Sequence, residues 1–542
     1  MNLASMWEAI ADRLPDQPAL IHGDDRISFR EFDERASRLA SAFAAAGIGP
    51  DTKVAMYLFN CNEYLETVFA AMKLRAIPVN VNYRYLEDEL HYLLDNSDAE
   101  VLVYHGALGD RVDAVLPRLS GLKLLAQVET EEEDRVQPVA GAVGYESLVE
   151  GNTPAPRVER SPEDKVFLYT GGTTGLPKGV MWKHSALFAQ FKSSYMPLGD
   201  FVPETVEQAA EAAEQLIEVG ASSPGLAAAP LMHGMAWFTS MSKLMAGGAV
   251  VSLTARSFDA DEFWDAIAEH RVGMATIVGD AFARPLCNAL IAAEERGKAY
   301  DISSLGVMVS GGVMWTPQYK QPLLDRGVQM LIDGLGSSEA TGAGMMVSVP
   351  GDDLTTARFQ LNPTTKVLTD DGREVEAGSG ETGVLAIAGD ALPDGYYKDD
   401  EKTAATFRMI DGVRYAIPGD YARVETDGSI TLLGRGSVCI NTGGEKVYPE
   451  EVEEVVKLHD AVTDCIVVGV PDEKWGQAIT AVVSLAEPDP AAPAAITELT
   501  KAKLAAYKAP KSVLVVDRVV RSPAGKADYR WALDEARRQL GI

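Results

Sequence analysis

Positive charge is what this chain of 542 residues has least of: 79 Asp and Glu stand against 49 Lys and Arg, for a formal net charge of −30. No basic block offsets that balance. Nucleic acid and anionic membranes are therefore poor partners, since either demands a cationic surface. Any anionic substrate must be met by a few lysines and arginines gathered locally. Cysteine is scarce too. Cys61, Cys287, Cys439 and Cys465 are scattered without C-x-x-C spacing, so neither a disulfide framework nor a structural zinc site is expected, and a reducing cytoplasm is the simplest home. No apolar run approaches the roughly eighteen residues of a membrane span. The opening MNLASMWEAIADRLPDQ lacks the apolar core of a signal peptide. Internal repeats are also missing. What remains, 46% hydrophobic and 24% charged, is ordinary for a globular protein, at a length that calls for two or more domains.

Residues 28–110 alternate between helical and strand-like runs: SFREFDERASRLASAFAAAG, KVAMYLF, EYLETVFAAMKLRA, IPVNVN, LEDELHYLLDNS and AEVLVYHG. That alternation predicts a largely parallel α/β sheet, and it continues through GAVVSLT, FWDAIAEHR, MATIVG and LGVMVSGG. Near 415–434 the pattern changes to two β-like runs joined by Asp427-Gly428, a hairpin signal. After GRGS comes an α/β segment of about a hundred residues, with the helix PEEVEEVVKLH, the strands CIVVGV, ITAVVSL and SVLVV, and a helix near 495–507. The domain boundary is placed at 434–437. ETEEEDRV and EPDPAAPAA read as solvated connections. The acidic helix at 204–220 reads as plain and exposed, with a substrate-side or homodimer surface as the alternative.

YTGGTTGLPKGV (169–180) packs glycines, threonines and a lysine behind an apolar run, the composition of a phosphate loop. It does not fit G-x-x-x-x-G-K-[ST] in any register, because Pro177 precedes Lys178 and Gly179 follows it. Four other stretches carry chemistry beside it. DGLGSSEATG (333–342) offers hydroxyls at Ser337 and Ser338 and a hard oxygen ligand, Glu339, suited to Mg²⁺ on phosphates. In YAIPGDYARV, Asp420 is able to accept two hydrogen bonds from a ribose diol. LLGRGSVCINTGGEKVYPEEVE carries Arg435 at the boundary, and Gly443-Gly444 for close backbone approach. RSPAGKADYR holds Lys526 on a Pro/Gly loop.

Together and in this order these stretches resemble the adenylate-forming superfamily of acyl-CoA synthetases, peptide-synthetase adenylation domains and luciferase. The resemblance covers about residues 20–535 and includes GETGVLAIAG with GYYKD, VVGVPDEKWGQ and PAGK. It implies a large N-terminal α/β domain (1–434) of mixed, largely parallel sheets plus a distorted β-barrel. A small mobile α/β lid (435–542) would follow, hinged about Arg435–Ser437. It further implies ATP, Mg²⁺ and coenzyme A as cofactors and a small carboxylic acid as substrate. Thr170, Gly171, Gly172, Thr173, Thr174 and Gly175 would hold the β- and γ-phosphates, with Lys178 as a mobile counter-charge and Thr174 and His233 near the reacting groups. Glu339 would bind Mg²⁺. Gly311, Gly312, Asp333, Gly334 and Leu335 would form the adenine slot, continued by Gly336 and Ser338, with Asp420 and Arg435 on the ribose. Lys526 would reach the carboxylate and α-phosphate, and Gly443 and Gly444 would line a pantetheine channel.

Lys446, Lys474 and Lys508 are candidates for the nucleotide end of CoA. Two departures stand out: Ser437 replaces a charged hinge residue, and Leu335 replaces an adenine-stacking aromatic. APLMHGMAW (229–237) supplies His233, Met235 and Trp237 but no acid to pair with an ammonium, which argues against an amino-acid substrate. IVGDAFARP and ATGAGMMVS would complete an adaptable apolar pocket. The resemblance is to a bacterial subgroup acting on long-chain or steroid side-chain acids, so a bulky hydrophobic acid is expected, with a medium- or long-chain fatty acid as the close second. Two other readings remain: adenylation for a carrier protein, and a catalytically silent acyl- or nucleotide-binding protein.

Overall fold

The computed structural model describes every residue outside 130–137, 171–175, 200, 355–356, 443–444, 473–474 and 522–525, together with all side chains of the described residues but that of Ser437. Among the described residues the strands form three sheets of 15, 8 and 5 members.

The largest sheet begins as the parallel array predicted from the α/β alternation. Strands Pro18–His22, Val250–Ser252, Gly225–Ala227, Met274–Ile277, Val307–Gly311 and Met330–Ser337 run side by side in that order. At Ser338–Glu339 the chain turns back as Ala340–Ser348, and every later pairing in this sheet is antiparallel. Through Arg358–Leu361 it reaches the hairpin Asp420–Val424 and Ile430–Arg435, the element signalled by Asp427-Gly428. One continuous sheet therefore carries Gly311, Asp333, Asp420 and Arg435, and Glu339 sits at the tip of one of its hairpins.

The second sheet, parallel except where Lys178–Lys183 pairs with Lys165–Thr170 and Gly395–Tyr396, packs helices on both faces. Its helical cover includes Leu3–Arg13, capped by the Asn2 side chain accepting from the Ala4 and Ser5 N–H groups. Trp7 of that helix stacks on Phe69 at 4.2 Å. Against it lies Val206–Glu218, which buries Ala209, Ala210, Ala212, Ala213 and Leu216. The acidic segment is thus amphipathic and packed inside the chain on one face rather than plainly exposed: its alanines supply the flat surface that its glutamates obscure in sequence.

The five-stranded sheet lies within residues 440–516 and has an apolar core on each face. Pro449–Val456, Ala492–Lys503 and Tyr529–Leu540 flank it. The second of these begins and ends earlier than the 495–507 expected, because Pro493 occupies its first turn and the chain turns extended at Leu504. The large sheet's Ile430–Arg435 and the small sheet's Ile440–Thr442 are joined by a single helical turn, Gly436–Val438. Among the described residues no helix is long and apolar enough to cross a membrane.

Candidate active site

Strand Lys165–Thr170 enters the glycine-threonine loop, and Lys178–Lys183 leaves it antiparallel, with Thr170 and Lys178 as the last pair. A P-loop leaves its strand to open a helix. This loop joins two strands, which is the structural counterpart of the motif mismatch at Pro177. Gly171, Gly172, Thr173, Thr174 and Gly175 lie outside the described residues. The stem is held firmly. Asn80 bonds the Tyr169 backbone in both directions, at 2.6 and 2.9 Å. Gly179 is required because a Cβ there would stand 2.6 Å from the Tyr169 ring. Lys178 is not loose: its ammonium pairs with Asp399 at 3.0 Å and lies 5.4 Å from the Tyr396 ring centroid.

A cavity of about 280 Å³ opens beside this stem, and Thr170 is part of its wall. One side is the edge where Gly311 and Gly334 stand in register, continued by Gly312, Asp333, Leu335, Gly336 and Ser338. Gly312 has φ +82°, a left-handed conformation that glycine adopts without strain. Leu335 is 9% exposed and belongs chiefly to the core, so only an edge of it reaches the cavity. Asp333 is buried against Lys320 at 2.5 Å, and burial pushes its carboxyl up to about 6 although Lys320 opposes the shift. At this distance the contact is a charge-assisted pair, with the Lys320 ammonium donating to the Asp333 carboxylate.

Glu339 accepts a 2.7 Å hydrogen bond from the Tyr396 hydroxyl, and the Ser338 carbonyl accepts one from Trp182. Across the cavity Asp420 and Arg435 are register partners and form an ion pair at 3.1 Å. Burial works against the Arg435 charge, but Asp420 and Glu339 outweigh it and hold its pKa above the usual arginine range. Lys526 enters from the C-terminal side. Its Cε lies 3.9 Å from where a Cβ on Gly312 would stand. Crowding by protein, then Arg435, lowers its pKa, against Glu339 and Asp420. The residue keeps solvent access on the open side of the cleft, which limits that lowering.

His233 caps the helix Gly234–Met245 and does not line this cavity. Burial, then Lys526 and Arg84, push its imidazole down to about 4, so it is neutral at pH 7. Its Nε2 is buried and unpartnered. Met235 lies against Gly311, its sulfur 3.1 Å from a Cβ placed there. Trp237, expected beside the substrate, is 1% exposed and packs in the core against Phe238. Helical spacing turns it away from the face that Met235 presents. Gly443, Gly444 and Lys474 lie outside the described residues. Lys446 is exposed on a short strand, and Lys508 is tied to Glu451 at 2.6 Å.

A second cavity, of about 350 Å³, was not foreseen from sequence. Arg84, Arg256, Arg284 and Arg518 line it with the rings of Phe59, Tyr83, Phe258 and Phe282. Arg256 lies over the Phe59 ring at 5.5 Å. Arg521, paired with Asp464 at 2.6 Å, forms part of both cavities' walls. These arginines share no motif; only their gathering from distant loops and one helix marks them.

The sequence pattern of the AMP-binding enzyme family matches residues 7–397, and that of the AMP-binding enzyme C-terminal domain matches residues 451–526. A medium/long-chain-fatty-acid–CoA/3-oxocholest-4-en-26-oate–CoA ligase of Mycolicibacterium smegmatis is 42% identical over 537 residues, covering 98% of this chain and 96% of the relative. A 3-oxocholest-4-en-26-oate–CoA ligase of Rhodococcus rhodochrous is 41% identical over 542 residues, covering 99% and 96%. Among solved structures, an anthranilate CoA ligase in complex with anthranoyl-AMP superposes with a TM-score of 0.82 at 22% identity, covering 99% of this chain and 97% of that one.

Proposed function

The chain belongs to the AMP-binding enzyme family, and from that premise we propose that it is an ATP-dependent, AMP-forming acid:CoA ligase whose substrate is a bulky hydrophobic carboxylic acid. The observation that carries the reading is the meeting of Lys526 with Gly312, Glu339 and the Asp420–Arg435 pair around one cavity. In the first half-reaction a carboxylate oxygen attacks the α-phosphorus of ATP. The bond from that phosphorus to the bridging oxygen breaks, and pyrophosphate leaves with the electron pair. In the second, the CoA sulfur attacks the acyl carbon, the C–O bond to AMP breaks, and the thiol proton is given up.

Both steps build negative charge in a chain that is acidic overall, so fixed local cations are needed. Lys526 serves the carboxylate and α-phosphate, Asp420 and Arg435 take the ribose, and the Gly311–Gly312 and Asp333–Ser338 edge takes the adenine. Lys178, parked on Asp399, is released to the departing phosphates. Mg²⁺ supplies neutralisation of phosphate charge, and Glu339 would hold it. A single carboxylate suffices for Mg²⁺ that shares its shell with phosphates and water. His233, neutral and with Nε2 unpaired, is able to donate a hydrogen bond to the substrate carboxylate or accept one from the thiol, according to its tautomer. The arginine cavity suits the phosphates and adenine of CoA, because guanidinium groups bind phosphate bidentately and aromatic rings stack purines. It replaces Lys446, Lys474 and Lys508 in our reading. Residues 435–542 act as a lid, with the glycine-flanked turn at 436–438 absorbing its rotation. The unpaired thiols of Cys61, Cys287, Cys439 and Cys465 support a reducing cytoplasmic home.

Two supports favour this acid: the substrates in the names of the relatives, and the half-buried Met235 with no acidic neighbour at the head of its helix. Screening fatty, aryl and steroid acids for CoA-dependent AMP release tests it. Long-chain or steroid side-chain acids are expected to give the highest kcat/KM. Acyl-AMP that passes to a carrier protein while CoA stays free would overturn the ligase reading.

A further inference from the structure

Glu450 opens the helix Pro449–Val456, at the seam where the small sheet's cover packs on the strand Ile430–Arg435. Its carboxyl fills a notch that only glycine leaves open. Gly434 has φ +119°, and a Cβ there would stand 2.0 Å from Glu450 Oε2 and 2.4 Å from its Cδ. Oε2 is closed off from solvent and has no hydrogen-bond partner of good geometry. The Tyr529 hydroxyl and the Arg435 backbone N–H are near enough to favour a charge, as is the residue's own N–H. Burial and the neighbouring Glu453 outweigh them and push the carboxyl up to about 8. Glu450, Gly434, Arg435, Tyr529 and Lys526 all face the nucleotide cavity.

The charged groups around this seat come from every packed element. Glu453 and Glu454 lie on its own helix, and Lys457 lies just beyond that helix. Arg435 and Asp420 come from the two strands below, and Arg521, Lys526 and Tyr529 from the C-terminal segment. Tyr529 begins the helix that follows the Lys526 loop. Tyr529 thus stands between the Glu450 seat and Lys526 on the wall of one cavity.

We infer that Glu450 is a positioning residue, a wedge that seats the small unit against Gly434 and so keeps Lys526 in the nucleotide cavity. The inference rests on the ligase reading above. Loss of the proton draws the carboxyl toward water and loosens the seat, which favours the lid's departure for the thioester step. The sign follows from linkage. A seated carboxyl titrating near 8, against the ordinary carboxylate range when the units part, makes seating strongest at low pH and progressively weaker up to about pH 8.

Hydrogen exchange over residues 434–448, corrected for its intrinsic pH dependence, reads the seat without any substrate. Wild-type protection is expected to fall about 70-fold between pH 6 and pH 8.5, while Glu450→Gln, which keeps the shape but cannot ionise, stays flat. Pyrophosphate release gives the second arm. Glu450→Ala is expected to lower the adenylation kcat about tenfold, with acid KM and thioester formation from supplied acyl-AMP unchanged, and Glu450→Gln is expected to match wild type at pH 6. The same pH dependence in Glu450→Gln as in wild type, or equal losses in both half-reactions, overturns the proposal. A chain that exchanges as expected but activates no acid would instead overturn the ligase reading alone.

Discussion

The cavity proposed for the nucleotide draws Thr170, Gly312, Glu339, Asp420 and Arg435 from strand ends and hairpin turns, each inside a contiguous word of sequence. The arginine cavity on the far side of Arg521 draws Arg84, Arg256, Arg284 and Arg518 from unrelated loops and a helix. The two spaces are similar in size and share a wall, but they recognise charge differently. On and beside the first, cations are paired with acids: Arg435 with Asp420 on the wall, Lys320 with the wall residue Asp333, and Lys178 with Asp399 at the neighbouring stem. A highly charged ligand there must displace or share partners, which suits a site that binds ATP and then releases pyrophosphate. In the second, Arg256 rests on an aromatic face and Arg284 on the Thr463 carbonyl. Guanidinium groups beside aromatic faces suit, in our proposal, the phosphates and purine at the far end of a long ligand.

Substitution of Lys526 divides the two cavities most sharply. Lys526→Ala is expected to slow adenylation by about 10²–10³-fold, the scale of losing one preorganised donor to transition-state charge. Thioester formation from supplied acyl-AMP should change little, and comparable losses in both half-reactions would erase the division of labour. Next in size, Arg84→Ala and Arg256→Ala should each raise the KM for CoA by about tenfold, roughly one charge-assisted contact, and leave acid-dependent pyrophosphate release intact. An unchanged KM for CoA would detach the arginine cavity from the thiol substrate. The smallest effect belongs to the parked lysine. Asp399→Asn frees Lys178 from a half-exposed ion pair and should lower the KM for ATP by about two- to fivefold, as such pairs contribute little.

Legibility followed the length of chain over which each feature is written. The parallel array, the 420–435 hairpin and the strand before the phosphate loop were visible because alternation and turn residues act within ten or so positions. The outcome at Val206–Glu218 differed from expectation because its charge masked an alanine face that only its helical partner reveals. Trp237 differed for a similar reason: one helix presents Met235 outward and sends Trp237 into the core. Glu450 carries no signal of its own, since its meaning depends on the left-handed Gly434, a residue of another unit.

By itself the sequence determined the class of chemistry: a phosphate loop broken by Pro177, a carboxylate on a serine turn, an acid and an arginine flanking a hairpin, and a lysine near the C-terminus. These are local words, and each keeps its meaning wherever the chain takes it. Tertiary structure alone decided which charges meet. It joined Asp420 to Arg435 through strand register, carried Lys526 to Gly312, gathered the arginines into a second cavity and wedged Glu450 into the notch at Gly434. Charge interactions fall off with separation in space, not with separation along the chain.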